Sequence, residues 1–164
     1  MTVLKLIFTL FVCTFVSNIF VFSAFATEVT RTEQEQKNLD KALYCMEILE
    51  NRNDLKPAKR IEILKADCIV ENYIQHSPHV PDGREALLAI FAKRYKKFPQ
   101  LSMSVKRAAS EGDLVWLHLH VKRTPDSLGS AVMHVFRMEN GKFAEHWGVS
   151  QRVPETSKNN NTMF

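Results

Sequence analysis

The chain has 164 residues, a length that suggests one domain, and carries 22 Lys+Arg against 18 Asp+Glu for a formal net charge of +4. The charges are mixed along the sequence, with no Lys/Arg run long enough for a nucleic-acid footprint, so no nucleic-acid partner is expected. Lys93-Arg94 and Lys96-Lys97 read as the solvated face of a helix.

Residues 1–26 read as a secretory signal peptide. Lys5 is the only charge there, Leu6 to Phe25 is almost wholly apolar, and Ala24-Phe25-Ala26 fits a small-x-small cleavage site. A retained N-terminal membrane anchor is the alternative, since ~20 apolar residues can span a bilayer. Ser17 and Asn18 interrupt the run. Both readings place the domain outside the cytoplasm, periplasmic or secreted, and a cleaved chain keeps no stable membrane contact. Losing Lys5 lowers the net charge to +3.

Cys13 leaves with the signal, and Cys45 and Cys68 remain. An even pair in an exported domain can close one disulfide between two helical segments, or the two thiols can pack as small hydrophobes. Neither belongs to a close-spaced ligand pair, so a zinc site is not expected.

Residues 27–38 form a polar entry. Thr32-Glu33-Gln34-Glu35 fits a capping box, and Leu39, Leu43, Met46 and Leu49 give the buried stripe of a helix running to about Glu50. Pro57 suits the first turn of a second helix, with Ile61, Leu64 and Cys68 on its inner face. Glu71 to His76 is a short extended segment before the turn signals Ser77-Pro78 and Pro81-Asp82-Gly83. Leu87, Leu88, Ile90, Phe91 and Tyr95 mark a third helix, with Pro99 just past its end.

A strand from about Met103 to Ser110 turns at Glu111-Gly112-Asp113 and returns as Leu114 to Arg123. Two more strands follow a loop over Thr124 to Gly129, joined at Asn140-Gly141, a pair that supplies the positive φ angles of a type I′ turn. Residues 154–164 read as an irregular tail. Helices first and an antiparallel-rich sheet after them make an α+β domain over residues 39–153, its sheet burying one face against the helices.

A two-residue turn at Asn140-Gly141 sets His134 opposite Trp147, Phe136 opposite Glu145 and Val135 opposite His146. The face with Val132, His134, Phe136, Met138, Phe143, Glu145 and Trp147 is bulkier and more apolar, so it is expected inside, and His146 and Arg137 outside. On the preceding strand Trp116, His118 and His120 share one face and Val115, Leu117, Leu119 and Val121 the other. Either the aliphatic face packs on the helices, or strong curvature brings the Trp-His-His face to a pocket mouth.

Several runs together resemble the SnoaL-like polyketide cyclase family of the nuclear transport factor 2-like superfamily. They are Asn72-Tyr73-Ile74-Gln75-His76-Ser77-Pro78, Asp82-Gly83 before a helix, the Glu111-Gly112-Asp113 hairpin, Val135 to Lys142, Glu145-His146-Trp147, and the ending from Pro154 to Phe164. The resemblance spans roughly Leu39 to Phe164. It implies a cone-shaped α+β fold in which a curved sheet wraps three helices around an apolar pocket, a homodimer, and proton-transfer chemistry on a small apolar molecule with neither metal nor organic cofactor. Such relatives commonly carry Asp where this chain has His134, and Asp directly after His-Trp where this chain has Gly148.

His134 is therefore the leading candidate for the pocket base, an imidazole titrating near neutrality, with Glu145 diagonal to it as orienting partner and His76 at the rim. Against this stand a core His134 bonded to the backbone or Tyr73, and a His76 that ties down the Ser77-Pro78 turn. Tyr73, Trp116, His118, Phe136 and Trp147 are the expected ligand-binding residues. His118 and His120 project together, and His76 or His79 can be brought near them, but the ligand count for zinc is short, so no metal is expected. Two functions follow: a cofactor-independent isomerase, cyclase or lyase acting on a small apolar carbonyl compound, or a non-catalytic domain that binds a hydrophobic ligand or dimerises as a scaffold.

Overall fold

The computed structural model describes residues 31–164. The expected signal segment, residues 1–26, lies outside the described residues. Helix α1 (Glu33–Glu50) begins at the anticipated capping box: Glu35 N donates to Thr32 Oγ1 at 3.2 Å, and Thr32 N donates back to Glu35 Oε2 at 2.7 Å. Glu35 Oε1 also accepts from Gly112 N at 2.8 Å, which fixes the start of α1 to a hairpin turn of the sheet. At the other end, Arg60 of α2 (Pro57–Ile63) donates to the carbonyls of Ile48 and Leu49 at 2.9 and 2.6 Å. It caps carbonyls that the last turn of a helix leaves unpaired. The expected inner face is present, with Leu64 and Cys68 fully buried and Ile61 packed against the core, and Arg60 is buried beside it.

Helix α2 passes into a π-helical turn (Leu64–Cys68), and Cys68 is bonded to Cys45 of α1 across a Cα–Cα distance of 5.6 Å. Of the two states open to this pair, the disulfide is the one present. Strand β1 (Ile69–Gln75) follows, then α3 (Arg84–Lys97), then the meander β2 (Ser102–Glu111), β3 (Leu114–Lys122), β4 (Ser130–Glu139) and β5 (Lys142–Arg152). The sheet order is β1-β5-β4-β3-β2, antiparallel except that β1 runs parallel to β5. Three helices therefore pack on one face of a five-stranded sheet, an α+β arrangement.

Val115, Leu117 and Leu119 of β3 are wholly buried against the helices. The aliphatic face is thus the inner one, and Trp116, His118 and His120 lie on the outer face, away from the helices. The last residue, Phe164, returns to that outer face and packs on His120 and His118 at ring-centroid distances of 4.3 and 5.8 Å. Residues 154–164 form neither helix nor strand.

The β4–β5 hairpin departs from the expected pairing at one residue. Asn140 and Gly141 take φ of 51° and 72°, and Glu139–Lys142 and Met138–Phe143 pair as a two-residue turn requires. Ala144 then has no partner, and Arg137 stands opposite Glu145. This is a β-bulge, in which two residues of one strand face one of the other. Phe143 and Ala144 are both buried, and beyond them every side chain of β5 takes the opposite face from the one expected. His146 turns inward, opposite Phe136. Glu145 and Trp147 turn outward.

Candidate active site

Two adjoining spaces lie on the helix-facing side of the sheet. An inner chamber of about 240 Å³ lies between α1, α3 and the strands, walled by apolar side chains that include Phe136, Tyr73 and Phe91. An outer mouth of about 720 Å³ opens between the far ends of β3, β4 and β5. Glu50, Arg94 and His134 line both spaces and so mark the boundary between them, here called the neck.

Alternation along β4 puts Val132, His134, Phe136 and Met138 on the inner face, and the bulge adds His146 from β5. His134 Nδ1 lies 2.6 Å from His146 Nε2, and His146 Nδ1 lies 2.8 Å from Gln75 Oε1. Gln75 Oε1 also accepts from Ser77 N at 2.9 Å, which identifies it as the oxygen of the amide. An oxygen only accepts, so His146 carries its proton on Nδ1. Its Nε2 is then an acceptor, and His134 must donate through Nδ1. The relay is one of neutral rings, and it leaves His134 Nε2 as a bare lone pair. Among the described residues no protein group bonds that atom.

Burial explains why the rings stay neutral. Desolvation, with smaller contributions from the adjacent His146 and from Arg94, pushes His134 down to about 3. His146 is lowered to about 4 by burial and, less, by His76. The close approach depends on Gly148, which stands directly opposite His134. A Cβ at that position would lie 2.9 Å from His134 Nδ1 and 2.9 Å from His146 Nε2. The two positions at which this chain departs from the expected Asp pattern are thus one structural feature: imidazole at 134 needs the space that glycine leaves at 148.

Glu50 ends α1 and is 3% exposed. Arg94 of α3 grips it with both terminal nitrogens, at 2.7 and 2.9 Å. Burial raises the Glu50 pKa, and Arg94 opposes that rise. Arg94 is therefore not part of a solvated basic face as expected: Lys93, Lys96 and Lys97 are exposed, but Arg94 turns inward. Tyr95, the next residue, is buried beneath Arg60, whose guanidinium lies 3.7 Å from the ring centroid.

The other expected site residues divide by face. Tyr73 and Phe136 line the inner chamber. His76, Glu145 and Trp147 gather on the outer face. His76 Nε2 lies 2.8 Å from Glu145 Oε1, Arg137 Nε donates to Glu145 Oε2 at 2.9 Å, and the His76 ring stacks on Trp147 at 4.7 Å. Glu145 is thus not diagonal to His134 inside the pocket, because the bulge at Ala144 reverses its direction. Trp116 and His118 also lie outside the pocket, with His118 against Arg107 and Phe164. Among the described residues no three His, Cys, Asp or Glu side chains gather closely enough to hold a metal ion.

His146, Gln75, Glu50, Arg94 and Gly148 were not picked out from the sequence as members of the site. Glu50 and Arg94 did carry a signal, since each continues an apolar helical stripe, four residues after Met46 and Ile90 respectively.

Residues 47–146 match the family described as SnoaL-like domain. Among solved structures, a candidate isomerase of the SnoaL-like family from Agrobacterium tumefaciens superposes with a TM-score of 0.58 at 14% identity, over 71% of this chain and 98% of the other. A candidate SnoaL-like polyketide cyclase from Jannaschia sp. gives 0.54 at 17% identity, over 74% of this chain and 90% of the other. A candidate ketosteroid isomerase from Kribbella flavida gives 0.57 at 12%, over 77% and 86%. At these identities the likeness is one of fold. No curated protein sequence matches.

Proposed function

The chain belongs to the SnoaL-like domain family, and from that premise we propose that it is an exported, cofactor-independent isomerase, cyclase or lyase that moves a proton on a small apolar carbonyl compound. The observation that carries this reading is the unprotonated Nε2 of His134, held at the neck of an apolar chamber by a relay of fixed direction. In this reading Nε2 removes a proton from carbon beside the carbonyl. The imidazolium so formed keeps its Nδ1–H on His146, and that hydrogen bond strengthens as it gains charge.

A base lowered this far is weak in the empty site, but at neutral pH it is always in its basic form. The same burial that lowers it makes a developing enolate next to it a strong electrostatic partner, which raises its proton affinity as the reaction proceeds. Glu50 and Arg94 enter as a neutral pair that polarises the neck without charging it. Export is supported by the Cys45–Cys68 disulfide, a bond typical of oxidising compartments.

The test is hydrogen exchange. The full chain is incubated with 2-decanone in D₂O, and loss of the α-protons is followed by NMR. The wild type is expected to exceed the rate of free imidazole, His134→Ala to fall to that background, and His76→Ala to keep the wild-type rate. A wild type no faster than imidazole, or an unimpaired His134→Ala, overturns the enzymatic reading.

A second reading, a dimerising scaffold with a ligand pocket, draws on the outer sheet face, where Met133 and Val149 pair with each other and are 40% and 71% exposed. Sedimentation equilibrium of the wild type and of Met133→Lys/Val149→Lys tests it; a monomeric wild type rejects the homodimer.

A further inference from the structure

The outer mouth carries two cations that the proton-transfer reading does not use. Arg123, just past β3, and Arg152, the last residue of β5, both line it. Arg152 pairs with Ser130, Ser150 with Val132, and Val121 with Ser130. Paired residues share a face, so Arg152 and Ser150 lie on the same side as Val132 and His134, and Arg123, one residue past the end of β3, lines the same mouth.

Among the described residues neither Arg123 nor Arg152 makes an ion pair or a side-chain hydrogen bond, whereas both terminal nitrogens of Arg94 are committed to Glu50. Among the described residues Glu50 is the single carboxylate lining the mouth, and Arg94 cancels it, so two positive charges are left over. The Arg123 guanidinium is steadied over the Phe98 ring at 5.5 Å from its centroid. Surface arginines are ordinarily solvated and face outward. These two border an opening that shares His134 with a chamber of the opposite character, and a concave site lined by one sign of charge concentrates ligands of the other.

We infer that the compound taken by this site is an amphipathic acid: an apolar chain in the inner chamber, its carbonyl at the neck beside His134, and a carboxylate at the mouth between Arg123 and Arg152. This rests on the pocket reading proposed above and adds the substrate's charge and length. Ser130, opposite Arg152, is four residues from His134, so the two backbone positions lie about 13 Å apart along β4, a span that the long Arg152 side chain can shorten. Planar guanidinium groups match a carboxylate in geometry as well as charge, and Ser127, Ser130 and Ser150 bring hydroxyl donors to the same mouth.

The experiment is calorimetric titration of the full chain with decanoate and with methyl decanoate, which share a chain and differ in charge. Decanoate is expected to bind about tenfold more tightly, the difference that ~1.4 kcal/mol of charge-assisted bonding gives. The preference should shrink with added salt and vanish in Arg123→Gln/Arg152→Gln, while methyl decanoate binds that variant as it binds the wild type. Both positions are exposed, and the melting temperature of the variant checks that the fold is intact. Equal binding of the two compounds by the wild type, binding of neither, or a preference that survives in the double variant overturns the inference. His134→Ala should keep the preference for decanoate. Loss of proton exchange with the preference intact therefore separates failure of the catalytic reading from failure of this one.

Discussion

His134 Nδ1 and His146 Nε2 meet at 2.6 Å across adjacent strands, and the hydrogen bond between them runs in one direction because Gln75 takes the only proton His146 has to give. The backbone supplies both conditions for that contact. The bulge at Ala144 turns His146 inward, and the missing side chain at Gly148 opens the space for both rings.

Gly148→Ala should break the relay. The new Cβ meets a ring atom of each histidine at 2.9 Å, and rings held in a packed interior cannot both withdraw. Over-packing of this kind costs about 1–3 kcal/mol. The expected outcome is a lower urea midpoint and, by ¹⁵N NMR of the imidazoles, loss of the fixed His134 Nδ1–H and His146 Nδ1–H tautomers. Unchanged tautomers in a stable variant would show that the contact does not need the glycine.

The two buried imidazoles also make a pH prediction. In the unfolded chain a histidine takes up its proton near pH 6.5. In the fold His134 and His146 remain neutral down to about 3 and about 4. Between those limits the unfolded state binds more protons, so stability falls as pH falls from about 6.5 toward 4, by about 1.4 kcal/mol per pH unit for each ring that stays neutral. Glu50, whose pKa is raised, works in the opposite direction over part of this range and softens the slope. The carboxylates with lowered pKa, Glu145 among them, begin to lose their contribution as the pH falls into the ordinary carboxylate range, at the acid end of this interval. Urea unfolding at intervals from pH 7 to pH 4 should therefore show a slope that His134→Gln/His146→Gln flattens. A wild-type profile already flat over that interval would contradict the buried neutral pair.

Much of this fold was legible in the sequence because it is written in local chemistry. The Thr32 capping box, the Asn140-Gly141 turn and the alternating Val115-Leu117-Leu119 stripe each depend on neighbours along the chain, and each holds in the structure. The site was less legible because one residue decides it. Nothing in Lys142-Phe143-Ala144-Glu145 marks a bulge, since the sequence alternates as well without it, yet the extra residue exchanges Glu145 and Trp147 for His146 on the inner face. Glu50 and Arg94 were hidden differently. They are far apart in the chain, and a lone charge at the end of an apolar stripe looks solvated until its partner is placed against it.

The Cys45–Cys68 bond should contribute measurably to stability. It ties α1 to the turn preceding β1 across a sequence separation of 23, and both residues are wholly buried. Closing a loop of this size restricts the unfolded chain by an amount worth about 3 kcal/mol. Cys45→Ala/Cys68→Ala is expected to lower the unfolding free energy by that order, with reductant lowering the melting temperature of the wild type and leaving the double variant unmoved. A wild type indifferent to reductant would indicate that the bond does not form in solution.

The Glu50–Arg94 pair joins the end of α1 to α3 at the neck, and its two members should not be separable. Arg94→Met leaves a carboxylate that is 3% exposed without its cation. Stripping one partner from a buried pair costs about 3–5 kcal/mol, because the remaining charge is neither solvated nor compensated. Part of that penalty is avoided if Glu50 takes up a proton, the direction in which burial already pushes it. The destabilisation of Arg94→Met should therefore shrink as pH is lowered, opposite to the trend set by the histidines. Glu50→Leu in the same background removes the stranded charge, and the double variant should recover most of the loss, giving a large coupling energy in the mutant cycle. Additive effects would mean that the two side chains are solvated independently and do not act as a coupled neutral pair at the neck.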